Sequence, residues 1–284
     1  MISAPHGRNL AGIIPLAGWN SSFGFPWPDY LQPLREGYLA VQRSIYECSL
    51  AGCDTIWVIC NDTVAPLVKQ SVGDYVMSPR YFEEKDFVKR KDYHQKWIPI
   101  YYVPISPKDR DRRDSLGWSV LHGALTAFTI SEKVTRWIVP TKYFVSFPYG
   151  IYNPEIIRKH RAALRGPNSF YLSHDKKTVR QNKYLGFTFN PEDWILIKRN
   201  IKEQCTAGNK NIPFKERWSS RDFTLDKIFN IDIIEVDKTV EIDNYYDLES
   251  WNSLKDYYSS GLEIPRPTKQ FMKPYFIRKD TNEY

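Results

Sequence analysis

The chain has no long apolar run, and nothing in it approaches the roughly 20 consecutive residues that a membrane-spanning helix needs. It is short of cysteine. Of the four, Cys48 and Cys53 have four residues between them and no matching second pair, which is not zinc-finger spacing. An HExxH helix, a P-loop and a Ser-His-Asp set are all missing, so the best-marked metalloprotease, NTPase and hydrolase readings are set aside. There is no internal repeat and no low-complexity segment, and the opening residues MISAPHGRN lack the apolar core of a secretory leader. The expectation is a soluble, cytoplasmic protein without a membrane partner, its thiols buried and reduced.

The chain's 284 residues suffice for one large domain or two small ones, and 42% hydrophobic content is enough for a sizeable core. Forty basic against 33 acidic residues leave a formal charge of +7. That balance suits an anionic ligand such as a nucleotide, and on charge alone weak nucleic-acid contact, although an ordinary solvated surface accounts for most of these residues. Aromatics make up 15%, many in irregular stretches such as Phe23-Gly24-Phe25-Pro26-Trp27-Pro28. Such rings either stack on bases and partner surfaces or pin loops onto the core.

Hydrophobic patterning alternates strand and helix. Gly12–Leu16 reads as the first strand, and Leu34–Leu50 as a helix with apolar residues near helical spacing, closed by Gly52. Thr55–Cys60 is a β-branched buried strand, followed by a helix over Thr63–Val72 capped by Asp62 or Thr63. Ser78–Lys96 is a charged excursion. Trp97–Ile105 is a third strand, Leu116–Ile130 a helix, and Arg136–Val139 opens a fourth strand that stays extended over Lys142–Phe147. Asn153–Leu164 is a helix with Pro154 in its first turn. Ser169–Ser173 and Tyr184–Phe189 form a β pair, and Pro191–Gln204 is a helix capped by Asn190. Ile231–Val236 and Thr239–Ile242 are strands, and Leu248–Tyr258 is a helix with Asp247 as its cap. The pattern implies a single α/β domain over 1–260, with a mostly parallel sheet covered by helices on both faces, and an extended C-terminal tail over 261–284.

Ligands in such sheets bind outside the carboxyl ends of the strands. The first such loop is Leu16-Ala17-Gly18-Trp19-Asn20-Ser21-Ser22, a small polar turn after a strand, whose N–H groups either cradle a phosphate or simply turn the chain. Asn61-Asp62 and the loop before Gly117 belong to the same edge. Arg110, Arg112 and Arg113 alternate with Asp109, Asp111 and Asp114, a pattern that fits a self-neutralised surface loop better than a phosphate clamp. The basic stretch Lys176–Lys183 fits a solvated hairpin connection, and His122, His160 and His174 fit structural roles.

These segments, in order, resemble the sugar-phosphate nucleotidylyltransferases, of the GT-A-like nucleotide-diphospho-sugar transferase fold. IIPLAGWNSSFGFPWPDYLQPL is similar to the family's opening glycine loop and the proline-bearing segment after it. AGCDTIWVICN looks like its second strand. SLGWSVLHGAL resembles the segment whose glycine, here Gly117, lies beside the base. VEIDNYYDLESW resembles the closing element that supplies a metal-binding aspartate, here Asp243. The resemblance spans about Gly12 to Trp251. It implies binding of a nucleotide or nucleotide-sugar, with Mg²⁺ if the protein is active, and attack of a sugar-phosphate oxygen on the α-phosphorus of an NTP.

The departures concern charge. The family's triphosphate-gripping basic residue falls near Ser22 or Phe23, its lysine after the proline at Asp29, and its first metal aspartate near Thr141 or Lys142. A lysine cannot ligate Mg²⁺. Lys142 is then either a fixed cation facing phosphate in the metal's place or a solvated strand-end lysine. Whether the chain is an enzyme stays open on these residues. A catalytically inactive structural or assembly protein reusing the fold is the alternative, with partner or self-association through the aromatic loops and the tail. Nucleic-acid binding rests on charge and aromatics alone.

Overall fold

The computed structural model describes residues 9–18, 27–79, 97–105, 115–134, 138–213, 223–232 and 234–267. Strand β1 (Leu10–Pro15) is buried along its whole length, as its unbroken apolar run requires of a strand covered on both faces. The next segment departs from the sequence reading. Residues 34–39 are not helical. β2 (Pro33–Arg35) and β3 (Tyr38–Leu39) form an antiparallel ribbon around Glu36-Gly37, with Gly37 at φ 65°. A left-handed residue there ends any helical path, so α1 (Ala40–Ala51) begins six residues later than expected and closes at Gly52 as predicted.

β4 (Thr55–Cys60) matches its expectation residue for residue. α2 (Ala65–Val72) starts after Val64 rather than at Asp62 or Thr63. β5 (Tyr75–Met77) was not foreseen, and β6 (Trp97–Pro104) was. α3 (Leu116–Val134) runs a turn past its predicted end. β7 (Lys142–Val145) is the fourth parallel strand of the core, and β8 (Gly150–Ile151) follows. The single helix expected after Asn153 is broken at His160 into α4 (Glu155–Lys159) and α5 (Arg161–Arg165).

β9 (Phe170–Ser173) and β10 (Phe187–Phe189) are the expected antiparallel pair. α6 (Pro191–Gly208) is capped at Asn190, and α7 (Leu225–Phe229) follows. Among the described residues of 231–236 there is no strand; the pairing begins at β11 (Lys238–Glu241). Asp247 lies in β12 (Tyr246–Asp247), and the cap of α8 (Trp251–Ser259) is Ser250, whose hydroxyl accepts from the Ser253 N–H.

The main sheet has eight strands in the order β11-β9-β10-β7-β1-β4-β6-β5. β7, β1, β4 and β6 run parallel, β9 and β11 run parallel to each other, and β10 and β5 run against their neighbours. Because β10 opposes both β7 and β9, the carboxyl ends of β1, β4, β6, β7, β9 and β11 share one edge. A smaller apolar cluster joins the β2–β3 and β8–β12 ribbons to α8, and Ile264, fully buried, lays the start of the tail on it.

Under the end of β7 lies a charged pair with no solvent exposure. Arg43 Nη1 donates to Glu47 Oε2 at 2.9 Å, one turn apart on α1. The Ser146 hydroxyl donates to the same carboxylate at 2.7 Å, the Tyr152 hydroxyl donates to its other oxygen, and Arg43 Nη2 donates to the Phe147 carbonyl at 2.6 Å. Arg43 also lies over the Tyr152 ring at 4.6 Å. Burial, then the Glu47 charge, pushes the Tyr152 phenol well up, so it stays a proton donor. Removing one member of a buried pair strands the other's charge. Arg43→Met is expected to cost about 3–5 kcal/mol in urea unfolding, and a loss under about 1 kcal/mol would show that the pair is not the anchor described.

Candidate nucleotide site

The first expected loop stands at the shared carboxyl edge. Leu16 and Ala17 are buried and continue the β1–β4 ladder, both N–H groups donating to the Ile59 carbonyl. Gly18 turns the chain at φ 82°, with its α-carbon against the backbone of Ser115. A side chain at 18 would be strained by the dihedral and would collide with that backbone. Ser115 opens α3, its hydroxyl accepting from the Trp118 N–H at 3.2 Å. The carbonyls of the turn are tied back: Ser119 Oγ donates to the Ala17 carbonyl at 3.0 Å, and the Tyr149 hydroxyl to that of Leu16 at 3.1 Å. The turn therefore meets the positive end of a 19-residue helix, an arrangement that favours an anion.

Leu16, Ala17, Gly18 and the Ser115–Gly117 segment are thus brought together, although Gly18 and Ser115 are 97 positions apart in the chain. Trp19, Asn20, Ser21 and Ser22 lie outside the described residues, as do Asp109–Asp114. Gly117 packs against α7. It is buried, and the side chain of Ile228 on α7 fills the space a β-carbon would take. Glycine here is a packing requirement between α3 and α7.

Lys142 is corrected outright. It is the first residue of β7, paired with Leu10, the first of β1. It therefore lies at the amino edge of the sheet, about 17 Å from the Gly18 end by the rise of β1. Its side chain is 2% exposed, and Nζ donates to the carbonyls of Gly166 at 3.0 Å and Asn168 at 2.5 Å. It anchors the chain after α5 and cannot face a phosphate at the opposite edge. The carboxyl end of β7 is Val145-Ser146-Phe147, so the position the resemblance gives to a first metal aspartate carries no carboxylate. Asp243 follows β11 at the ligand edge and is exposed. One exposed carboxylate holds Mg²⁺ only together with a ligand's phosphate oxygens. The described residues therefore do not build a resident metal centre around Asp243.

Sequence reasoning missed two groupings. Arg43 and Glu47 have the spacing of a solvated helix pair, and only the sheet packed over α1 buries them. His174 and Glu241 are brought together by the parallel β9–β11 register, Ser173 opposite Glu241, which no local pattern announces. In the basic stretch, Arg180 is partly packed rather than solvated: it donates to the Ile234 carbonyl and lies over the Tyr171 ring at 5.3 Å.

No protein-family model matches the chain, and no curated protein matches it in sequence. Solved structures do match it in shape. A putative glucose-1-phosphate thymidylyltransferase from Bacillus anthracis, solved with sucrose, superposes with a TM-score of 0.57 at 12% identity, over 92% of this chain and 98% of its own. Rv0371c from Mycobacterium tuberculosis H37Rv gives 0.53 at 12% identity, over 89% and 99%. A UDP-glucose pyrophosphorylase solved with UDP-glucose gives 0.52 at 10% identity, over 89% and 98%. The chain is thus similar in fold to these structures, a thymidylyltransferase and a pyrophosphorylase among them, along nearly its whole length. Among the described residues, no helix is long and apolar enough to cross a membrane.

The Gly117 contact makes a testable pair. Gly117→Ala is expected to destabilise by about 1–3 kcal/mol through overpacking. Ile228→Val removes the methyl nearest that site, so in a double-mutant cycle the two changes should couple by more than about 0.5 kcal/mol. Simple additivity in chemical denaturation would show that Ile228 does not fill the space.

Proposed function

We propose that this chain binds a nucleotide or nucleotide-sugar at the carboxyl edge of a nucleotidyltransferase fold, and that its equipment for metal-dependent nucleotidyl transfer is degenerate. One observation carries the reading: the Gly18 turn is packed against the head of α3, at the edge where an α/β sheet receives its ligand. The loop 19–22 would supply further N–H groups to the phosphates. The end of β7 argues against transfer, since Ser146 there donates to a buried glutamate where the resembled enzymes carry a metal aspartate. Asp243 would at most share a Mg²⁺ ion with the ligand's own phosphates. Residues 1–260 would form the binding domain and 261–284 a tail laid on it. A reducing, cytoplasmic setting suits the buried thiols of Cys48, Cys53 and Cys60.

A specific feature favours the alternative, an assembly component. Between α3 and α6, Ala124, Leu125, Phe128, Tyr143, Trp194 and Ile195 line an apolar groove of about 210 Å³. Leu125 and Ile195 are 43% and 61% exposed. A protein partner or a second copy would bury such a face.

Thermal unfolding against NTPs and nucleotide-sugars, with and without Mg²⁺, separates the readings. A ligand at about 100 times its Kd should add about 2.7 kcal/mol. Stabilisation that does not require Mg²⁺, without pyrophosphate release from an NTP and a sugar phosphate, is the expected result. Mg²⁺-dependent stabilisation with pyrophosphate release would restore the full enzyme. A flat response at millimolar ligand would remove the nucleotide site and leave the assembly role.

A further inference from the structure

Three metal-ligating side chains converge at the carboxyl edge of β9 and β11, away from the Gly18 turn. After β9, residues 174–177 form a tight turn closed by the His174–Lys177 bridge, with Asp175 and Lys176 at φ 50° and 61°. That turn sets Asp175 beside His174, Oδ2 3.6 Å from Nε2. The β9–β11 register brings in Glu241, and one ligand atom from each of His174, Asp175 and Glu241 lies within 4.8 Å of the others.

The surroundings fix two of the three. His174 Nδ1 is 3.0 Å from the Ile242 carbonyl. A carbonyl only accepts, so Nδ1 carries a proton, and it is the lone pair of Nε2, on the side of the carboxylates, that an ion would take in place of a proton. A ligating histidine is ordinarily oriented in this way. Glu241 Oε2 accepts from the Ser173 hydroxyl at 2.5 Å and Oε1 from the Lys176 N–H at 3.4 Å. Each carboxylate oxygen keeps a second lone pair. Tetrahedral zinc with bonds near 2.1 Å spaces its ligand atoms about 3.4 Å apart. The His174–Asp175 separation is already close to that, and Glu241, with its ligand atom no more than 4.8 Å from the others, closes the rest by a small shift of its exposed side chain.

We propose that His174, Asp175 and Glu241 form a binding site for a divalent transition ion of the zinc type. An imidazole nitrogen suits zinc, whereas Mg²⁺ takes oxygen ligands. Three protein ligands leave one coordination position open to water or to an anionic ligand's oxygen. The site is three strands from β1, about 14 Å along the edge at ordinary strand spacing. It does not depend on nucleotide binding at Gly18. Exposed Lys176 and Lys177 in the same turn offset the charge of the two carboxylates, so binding should depend less on ionic strength than at a purely carboxylate site.

Calorimetric titration of Zn²⁺ into the metal-stripped full chain, with Co²⁺ absorption as a geometric readout, tests this. One equivalent should bind. His174→Ala and Glu241→Gln should each weaken binding by more than about tenfold, the least expected even for loss of an outer-shell partner. Asp256→Asn, an exposed carboxylate on α8, should leave it unchanged. Circular dichroism checks folding, and should His174→Ala fail to fold, Glu241→Gln decides. Absence of Zn²⁺ binding at millimolar ion, or binding unaltered by the ligand substitutions, would overturn the site.

Discussion

The architecture turns on two charges shut away from water. Arg43 and Glu47 lie beneath the end of β7, and between them they hold the hydroxyls of Ser146 and Tyr152 and the carbonyl of Phe147. Taking such a pair out of water is costly, and the neighbouring hydrogen bonds are what compensate for it. The compensation is incomplete, since Arg43 Nε and the nearby Tyr38 hydroxyl find no partner. Burial works against the guanidinium's charge, yet Glu47 and Tyr152 outweigh it, and Arg43 stays protonated. The pair fixes the path of residues 146–152, hence the position of Tyr149, which in turn ties back the Leu16 carbonyl at the Gly18 turn.

The same anchoring decides what the end of β7 offers at the carboxyl edge. A segment whose hydroxyl points down to a buried carboxylate presents no carboxylate upward to a cation. What the edge retains is backbone: a glycine turn, the head of a long helix, and carbonyls already satisfied by Ser119 and Tyr149. Backbone groups arranged in this way suit an anion.

The parallel core was legible because its strands are unbroken β-branched runs; Thr55–Cys60 needed no context beyond its own composition and flanking turns. The meeting of Gly18 with the head of α3 was legible for a topological reason, since both follow strands that end at one edge. Residues 34–39 were misread because helical spacing of a few apolar positions also fits a short ribbon, and the turn at Gly37 decides between them. Lys142 was misplaced because apolar patterning locates a strand well but its ends poorly, and a shift of four residues exchanges the two edges of a sheet. The pairing of β9 with β11 joins residues 68 apart, and nothing local could signal it.

Lys142 also has a consequence for chemical labelling. Its amine is sealed at the amino edge and donates to the Gly166 and Asn168 carbonyls, so an acylating reagent in solution cannot reach it. Most of the other lysines among the described residues stand at the surface and will react at once. Acylation at position 142 must wait until β7 and residues 166–168 part, which makes this one side chain a clock for the opening of that joint, readable by mass in a protein that still looks folded by every bulk measure.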